Sequence, residues 1–200
     1  MFKKILIANR GEIAVRVIRT CREMGIKTVA VFSNADRTSP HVLKADEAYC
    51  LGSSPSARSY LNMEKIMTII KNSGADAVHP GYGFLSENAD FAKLISKAGA
   101  VWIGPPSPVI NTMGDKIAAR QLAKKAGVPV VPGTTKPIND PQKARKTADK
   151  IGYPILIKAA GGGGGKGMRI IKSHLELTNA MEQAKSEATK AFADDRIYME

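Results

Sequence analysis

Short apolar runs alternate along this chain with longer stretches whose apolar positions recur every third or fourth residue. In "KKILIANRGEIAVRVIRTCREMG" the first run breaks at Asn9-Arg10-Gly11, and Ile13, Val17, Ile18 and Cys21 then follow on a helical period up to Gly25. "KTVAVFSNAD" looks like a buried strand, Thr28 to Phe32 being apolar or β-branched, so residues 1–36 predict one β-α-β unit. Residues 33–59 show no such pattern and read as irregular. Beyond them, "YLNMEKIMTIIKNSG" predicts a helix and "ADAVHPGYG" a strand ending in a Pro/Gly loop. "SENADFAKLISKAG" predicts a helix opened by a Ser cap, and "AVWIGPP" a strand.

Strands alternating with helices predict an α/β fold with a doubly wound parallel sheet. The density of proline and glycine in "GPPSPVINTMGDK" makes 104–114 the best domain boundary. After it, "DKIAARQLAKKAG" predicts a helix with Ile117, Leu122 and Ala126 toward one face. "VPVVPGTTKPIND" is extended and broken by proline, and "PQKARKTADKIG" is a helix with proline in its first turn. "YPILIKAA", a glycine run, "GMRIIKS", the long helical "HLELTNAMEQAKSEATKAFA" and a strand "DRIYME" complete the chain. No capping element follows Glu200, so the second domain is expected to be cut.

Composition narrows the function classes. With 44% hydrophobic and 24% charged residues in a chain of 200, disorder, collagen and coiled coil are excluded. No apolar run reaches membrane-spanning length and no leader with a cleavage site is seen, so a cytoplasmic location is expected. Cys21 and Cys50 are too few for a disulfide framework and read as small buried hydrophobes. Three scattered histidines do not make a zinc site, and no metal ligand set is expected. The net charge of +12 raises the question of nucleic acid. Residues 1–114 carry 14 basic and 9 acidic groups and residues 115–200 carry 16 and 9, so the excesses are +5 and +7 and neither half forms a basic arm. With 6% aromatic residues there is also no stacking surface, and acidic ligands or an acidic partner account for the charge.

Two segments carry candidate chemistry. "HPGYGFLSEN" follows directly on a parallel strand, where ligands of open α/β sheets bind, and a binding loop and a plain structural turn both remain open. "IANRGEIAVRV" has one glycine where a dinucleotide fingerprint needs three, so it reads as a βα turn closed by Gly11. "KAAGGGGGKGMRI" fails the P-loop pattern, because Lys166 is followed by Gly167 and no hydroxyl is available. It matches the Rossmann pattern only trivially, since a β-like segment follows. A flexible linker is its bland reading, but both flanks are apolar β segments ending in basic residues. A β-hairpin with a glycine loop that closes over phosphates, with Lys158, Lys166 and Arg169 supplying charge, fits best.

In order, "KILIANRGEIAVRVIRTCREMGIKTVAVFS", "ADE", "HPGYGFLSEN", "IGP", "MGDK", "AGVPVVPG", "GYPILIKAAGGGGGKGMR" and "YME" resemble the N-terminal part of biotin carboxylase, the ATP-grasp component of acetyl-CoA, propionyl-CoA and pyruvate carboxylases. The resemblance runs from Phe2 to Glu200. It implies a Rossmann-like, pre-ATP-grasp domain over 1–113, followed over 114–200 by the first, lid-bearing part of an ATP-grasp domain. It also implies a ligase that uses MgATP and bicarbonate, through carboxyphosphate, to carboxylate biotin held on a biotin carboxyl carrier protein. Carboxyltransferase subunits would use the product, and the enzyme would be a homodimer.

By position, the resemblance assigns ATP contacts to Lys116, Lys158, Met168 and Glu200, and to the lid Gly161, Gly162, Gly163, Gly164, Gly165, Lys166 and Gly167. Tyr82 and Gly83 fall on a loop facing biotin and bicarbonate, and Arg19 and Glu23 on the dimer interface. The Mg²⁺ ligands and the catalytic base belong to the family's segment after Glu200, so this chain alone is expected to be incomplete. Another ATP-grasp ligase and a non-catalytic dimerisation or interaction module remain the alternatives.

Overall fold

The first two apolar runs are strands, Lys4–Ile7 (β1) and Lys27–Ser33 (β2), and they pair in parallel with Lys4 beside Lys27 and Ile7 beside Ala30. Gly11–Glu23 (α1) joins them and buries Ala14, Ile18 and Cys21; of the stripe expected from its spacing, Ile18 and Cys21 are buried and Ile13 and Val17 partly so. These coordinates are a computed structural model, which describes residues 1–161 and 168–200. The chain divides into two units, Met1–Asn111 and Thr112–Glu200.

In the first unit the elements that follow are Pro40–Lys44 (α2), Glu47–Gly52 (β3), Met63–Ser73 (α3), Ala77–His79 (β4), Ala89–Lys97 (α4), Val101–Trp102 (β5) and Ser107–Gly114 (α5), the last running across the division. The sheet is parallel throughout, in the order β3-β2-β1-β4-β5. Alternation along β1 sends Leu6 to one face, where it clusters with Val29, Ile66, Phe91 and Ile95, and Ile7 to the other, with Ala14, Ile18 and Cys21. The chain reverses direction across the sheet between β1 and β4, so the loops after these two strands meet at its carboxyl edge.

The structure departs from the sequence pattern at several points. Residues 33–59 contain α2 and the edge strand β3. Only Leu51 of β3 is fully buried, so its apolar signal is diluted. Cys50 sits on the outward side of this strand and is exposed, whereas Cys21 is buried as expected. The cap of α4 is Asn88 and not Ser86: its side chain accepts from the Phe91 N–H at 2.8 Å, because Asn88 is the residue directly before the first turn. The boundary segment 104–114 is partly helical, its prolines falling before or within the first turn of α5, where a missing N–H costs nothing.

The second unit contains Lys116–Lys125 (α6), Pro141–Ile151 (α7), Ile155–Ala159 (β6), Arg169–Ile171 (β7), Leu177–Phe192 (α8) and Ile197–Met199 (β8). Its sheet is antiparallel in the order β7-β6-β8, with Ile157 opposite both Arg169 and Met199. Helices α7 and α8 cover one face through Ala144, Ala148, Leu177, Met181 and Ala184. The apolar contact of helix α6 comes from its first turn: Ile117 packs with Ala160 and Tyr198, and Leu122 and Ala126 are exposed, contrary to the expected apolar face. Residues 134–138 run beside the outer edge of β8, where Thr134 N–H donates to the Met199 carbonyl at 2.8 Å and Ile138 N–H to the Ile197 carbonyl at 2.8 Å. A Cβ on Gly133 would collide with the Met199 carbonyl oxygen, so glycine lets this segment approach. Among the described residues, no helix is long and apolar enough to cross a membrane.

Asp46 ties β3 to β2. It accepts from Thr28 N–H, Thr28 Oγ1 and Lys27 Nζ, each at 2.9 Å, and the Lys27 hydrogen bond leads in pulling its carboxyl from 3.8 down to about 2. A lowered folded-state value contributes stability that is present above 3.8 and lost as pH falls toward about 2. Because the side chain is 38% exposed, screening holds the effect to about 1 kcal/mol. Asp46→Asn is expected to flatten the stability profile across that window, measured by urea unfolding at successive pH values.

Candidate functional site

Two sets of chemically active side chains stand out, one in each unit. In the second unit, β6 and β8 are neighbours with Lys158 opposite Tyr198, and the alternation of β8 puts Tyr198 and Glu200 on the same side. Lys158 Nζ and the Tyr198 hydroxyl both donate to Glu200 Oε1 at 2.8 Å. Arg120, one helical turn after Lys116, lies 3.6 Å from Glu200 Oε2, and its guanidinium sits 5.7 Å from the centre of the Tyr198 ring. It also donates to the Val131 carbonyl at 2.6 Å. Burial works to raise the Glu200 carboxyl. The hydrogen bonds from Lys158 and Tyr198 and the charges of Lys158 and Arg120 outweigh it and hold the group below its ordinary value. The Tyr198 hydroxyl is pushed up by burial and by the adjoining carboxylate.

The start of α6 is fastened to the end of β6. Lys116 N–H donates to the Ala160 carbonyl at 3.0 Å, and Lys116 Nζ to the Gly161 carbonyl at 3.3 Å. Asp115 caps the helix by accepting from Ile117 and Ala118 N–H, and it takes Arg196 at 2.8 Å on its other oxygen. Two lysines therefore flank the strand that leads into the glycine run. Gly162, Gly163, Gly164, Gly165, Lys166 and Gly167 lie outside the described residues, and Met168, on the far side of the run, is partly exposed.

In the first unit, the loops at the carboxyl ends of β1 and β4 are joined through Asn9, which is 3% exposed. Its Nδ2 donates to the carbonyls of Pro80 at 2.8 Å and Tyr82 at 2.9 Å, and its Oδ1 accepts from Arg10 N–H at 2.9 Å. Tyr82 itself is 63% exposed, its hydroxyl donating to Glu12 Oε2 at 3.1 Å, and Gly83 has φ +71°. Burial pushes the His79 imidazole below its ordinary value, and its Nδ1 accepts from Gly81 N–H at 3.0 Å. The crevice where a dinucleotide would enter is occupied by the Asn9 amide. Arg19 and Glu23 lie on the outer face of α1, 4.0 Å apart and more than two-thirds exposed.

Residues 1–110 match the family described as biotin carboxylase, N-terminal domain. The chain belongs to the biotin carboxylase family. Residues 115–200 match the family described as carbamoyl-phosphate synthase L chain, ATP-binding domain. The biotin carboxylase of Haemophilus influenzae is 55% identical over 100% of this chain and 45% of its own length. A biotin carboxylase complex with β,γ-ATP from Campylobacter jejuni superposes with a TM-score of 0.96 at 46% identity, over 100% of this chain and 45% of that one. The dimeric biotin carboxylase domain of Hydrogenobacter thermophilus 2-oxoglutarate carboxylase, solved with MgADP, ADP and bicarbonate, gives 0.93 at 49% identity, over 100% of this chain and 44% of that one. The chain thus spans less than half the length of these biotin carboxylases. The expected family, the α/β class and the parallel sheet are borne out.

Arg120, Tyr198 and Asn9 escaped the sequence reading. The four-residue spacing of Lys116 and Arg120 on one helix, and the two-residue spacing of Tyr198 and Glu200 on one strand, were the available signals. For Asn9 there was none beyond its position after a strand. Gly81, with φ +64°, lies so close to Asn9 that an added Cβ would fall 2.6 Å from Nδ2. Gly81→Ala is therefore expected to destabilise the first unit by about 1–3 kcal/mol, read as a lower denaturant midpoint.

Proposed function

We propose that this chain supplies the N-terminal domain, residues 1–113, and the lid-bearing start of the ATP-grasp domain, residues 114–200, of an enzyme that carboxylates carrier-bound biotin at the expense of ATP and bicarbonate. The meeting of Lys158 with Glu200, at the end of the strand that enters the glycine run, carries this reading. The donor set suits a nucleotide: two lysines placed as point charges for phosphates, and a carboxylate at the end of β8 for a base. When bound, ATP supplies the phosphoryl group that activates bicarbonate.

Among the described residues, no group of three or more His, Cys, Asp or Glu side chains is placed to hold a metal. These residues therefore fit the phosphates and not the Mg²⁺, whose ligands the resemblance assigns to the family's remaining length. Lys116 and Lys158 orient the phosphates. The run from Gly161 to Gly167, with Met168 after it, closes over them and excludes water, and Glu200 lies at the adenine side. Tyr82 and Gly83 face biotin and bicarbonate. Arg19 and Glu23, exposed on one helix face, are suited to pair with their counterparts across a two-fold axis in a homodimer. The biotin carboxyl carrier protein and carboxyltransferase subunits are the proposed partners.

Joined to the carboxyl-terminal remainder of the Haemophilus influenzae relative, the chain is expected to hydrolyse ATP in a biotin- and bicarbonate-dependent way, and alone it is not. Lys158→Gln in that enzyme should raise KM for ATP about tenfold or more through loss of a charged phosphate contact. ATP hydrolysis indifferent to biotin, or an unaltered KM for ATP, would overturn the proposal.

A further inference from the structure

The loop after β4 holds an unusual backbone. Phe84 has φ +44°, in the left-handed region that a bulky side chain adopts only when its surroundings enforce it. Two sets of contacts supply the enforcement. On one side, the Asn9 amide spends both of its N–H donors on the Pro80 and Tyr82 carbonyls and its oxygen on Arg10 N–H. The amide orientation is settled by those partners, since two are acceptors and one is a donor. On the other side, the Phe84 ring stacks on Tyr60, centroids 4.9 Å apart and planes inclined by 16°.

Tyr60 is itself immobilised. Its hydroxyl donates to Asp36 Oδ2 at 2.6 Å and accepts from Ser33 N–H at 3.0 Å, while Arg10 reaches Asp36 Oδ1 at 2.9 Å. Asp36, Tyr60 and Ser33 are all buried. Between these two supports Tyr82 projects into solvent, 63% exposed. A loop strained at its base, fastened on both sides and exposed at its tip is shaped before any ligand arrives.

We propose that Asn9, backed by the Tyr60–Phe84 stack, is a positioning residue that holds residues 80–86 in the shape in which Tyr82 and Gly83 meet biotin and bicarbonate. The functional half of this proposal rests on the reading that these two residues face biotin. The clamp itself rests on the contacts alone. Asn9 acts through two carbonyls of the loop and touches no substrate.

Asn9→Asp is close to isosteric, keeps the acceptor for Arg10 N–H, and sets a carboxylate against two carbonyl oxygens. Phe84→Ala removes the stack from a partly buried position at the margin of the first unit's core. Tyr60→Phe keeps the ring for the stack but removes the hydroxyl that fixes it to Asp36 and Ser33, so it weakens the support without abolishing it. In hydrogen exchange on the 200-residue chain, amides 81–86 are expected to exchange about tenfold faster or more in Asn9→Asp and Phe84→Ala, and by a smaller factor in Tyr60→Phe, with β1 and β4 unchanged. In the joined enzyme, Asn9→Asp and Phe84→Ala should raise KM for free biotin about tenfold and leave KM for ATP unchanged. Unaltered exchange at 81–86 in both variants overturns the clamp. Equal rises in both KM values reduce it to a general structural role and overturn the positioning role. Faster exchange with an unchanged biotin KM overturns the reading of Tyr82 and Gly83, and the functional half of the proposal falls with it.

Discussion

Strand β1 has a hydrogen-bonded neighbour on each edge and helices over each face, so Leu6 and Ile7 have no contact with water. Burying such a side chain contributes about 1.5–3 kcal/mol, and a one-residue slip would exchange the two faces. The register of β2 and β4 against this strand is thereby set. So is the place where Ala8, Asn9 and Arg10 emerge, and with it every contact at the carboxyl edge of the sheet. The same edge in a dinucleotide fold is kept open by small residues. Here a side-chain amide crosses from one loop to the other and turns the opening into a support.

The second unit treats charge in a comparable way. Glu200 is 11% exposed along its side chain and is reached by Lys158, Tyr198 and Arg120. A carboxylate so enclosed would be costly if Lys158 alone offset it, because any turn of the lysine toward a phosphate would strand a buried charge. With Arg120 and Tyr198 beside it, the lysine can change partners while the carboxylate keeps two.

Much of this architecture was legible in the pattern of apolar positions. Strongly periodic segments such as α1, α3 and α4 came out as helices, and the continuous runs of β1, β2 and β6 as strands. What stayed hidden depends on contacts between distant parts of the chain. Strand β3 shows no polar–apolar alternation in sequence, since Ala48 and Cys50 on its exposed side are apolar. Helix α5 was masked by prolines that its first turn accommodates. Lys158 and Tyr82 lie in segments that the residues themselves marked as candidate chemistry, whereas Glu200 was singled out only through resemblance to a known family. Asn9 and Arg120 act through partners 71 or more residues away in one case and 80 in the other, and no local pattern announces them.

The alternation of β8 has a further effect. Glu200 exchanges backbone bonds with Leu156 of β6, which leaves Ile197 and Met199 pointing the other way, and residues 134–138 receive them. An open strand edge invites pairing with another chain and is a starting point for aggregation. The segment that covers this edge carries Pro137, which has no N–H to offer a newcomer. A stretch that reads in the sequence as broken extended chain thus ends the sheet, and does so with a residue that cannot template another strand.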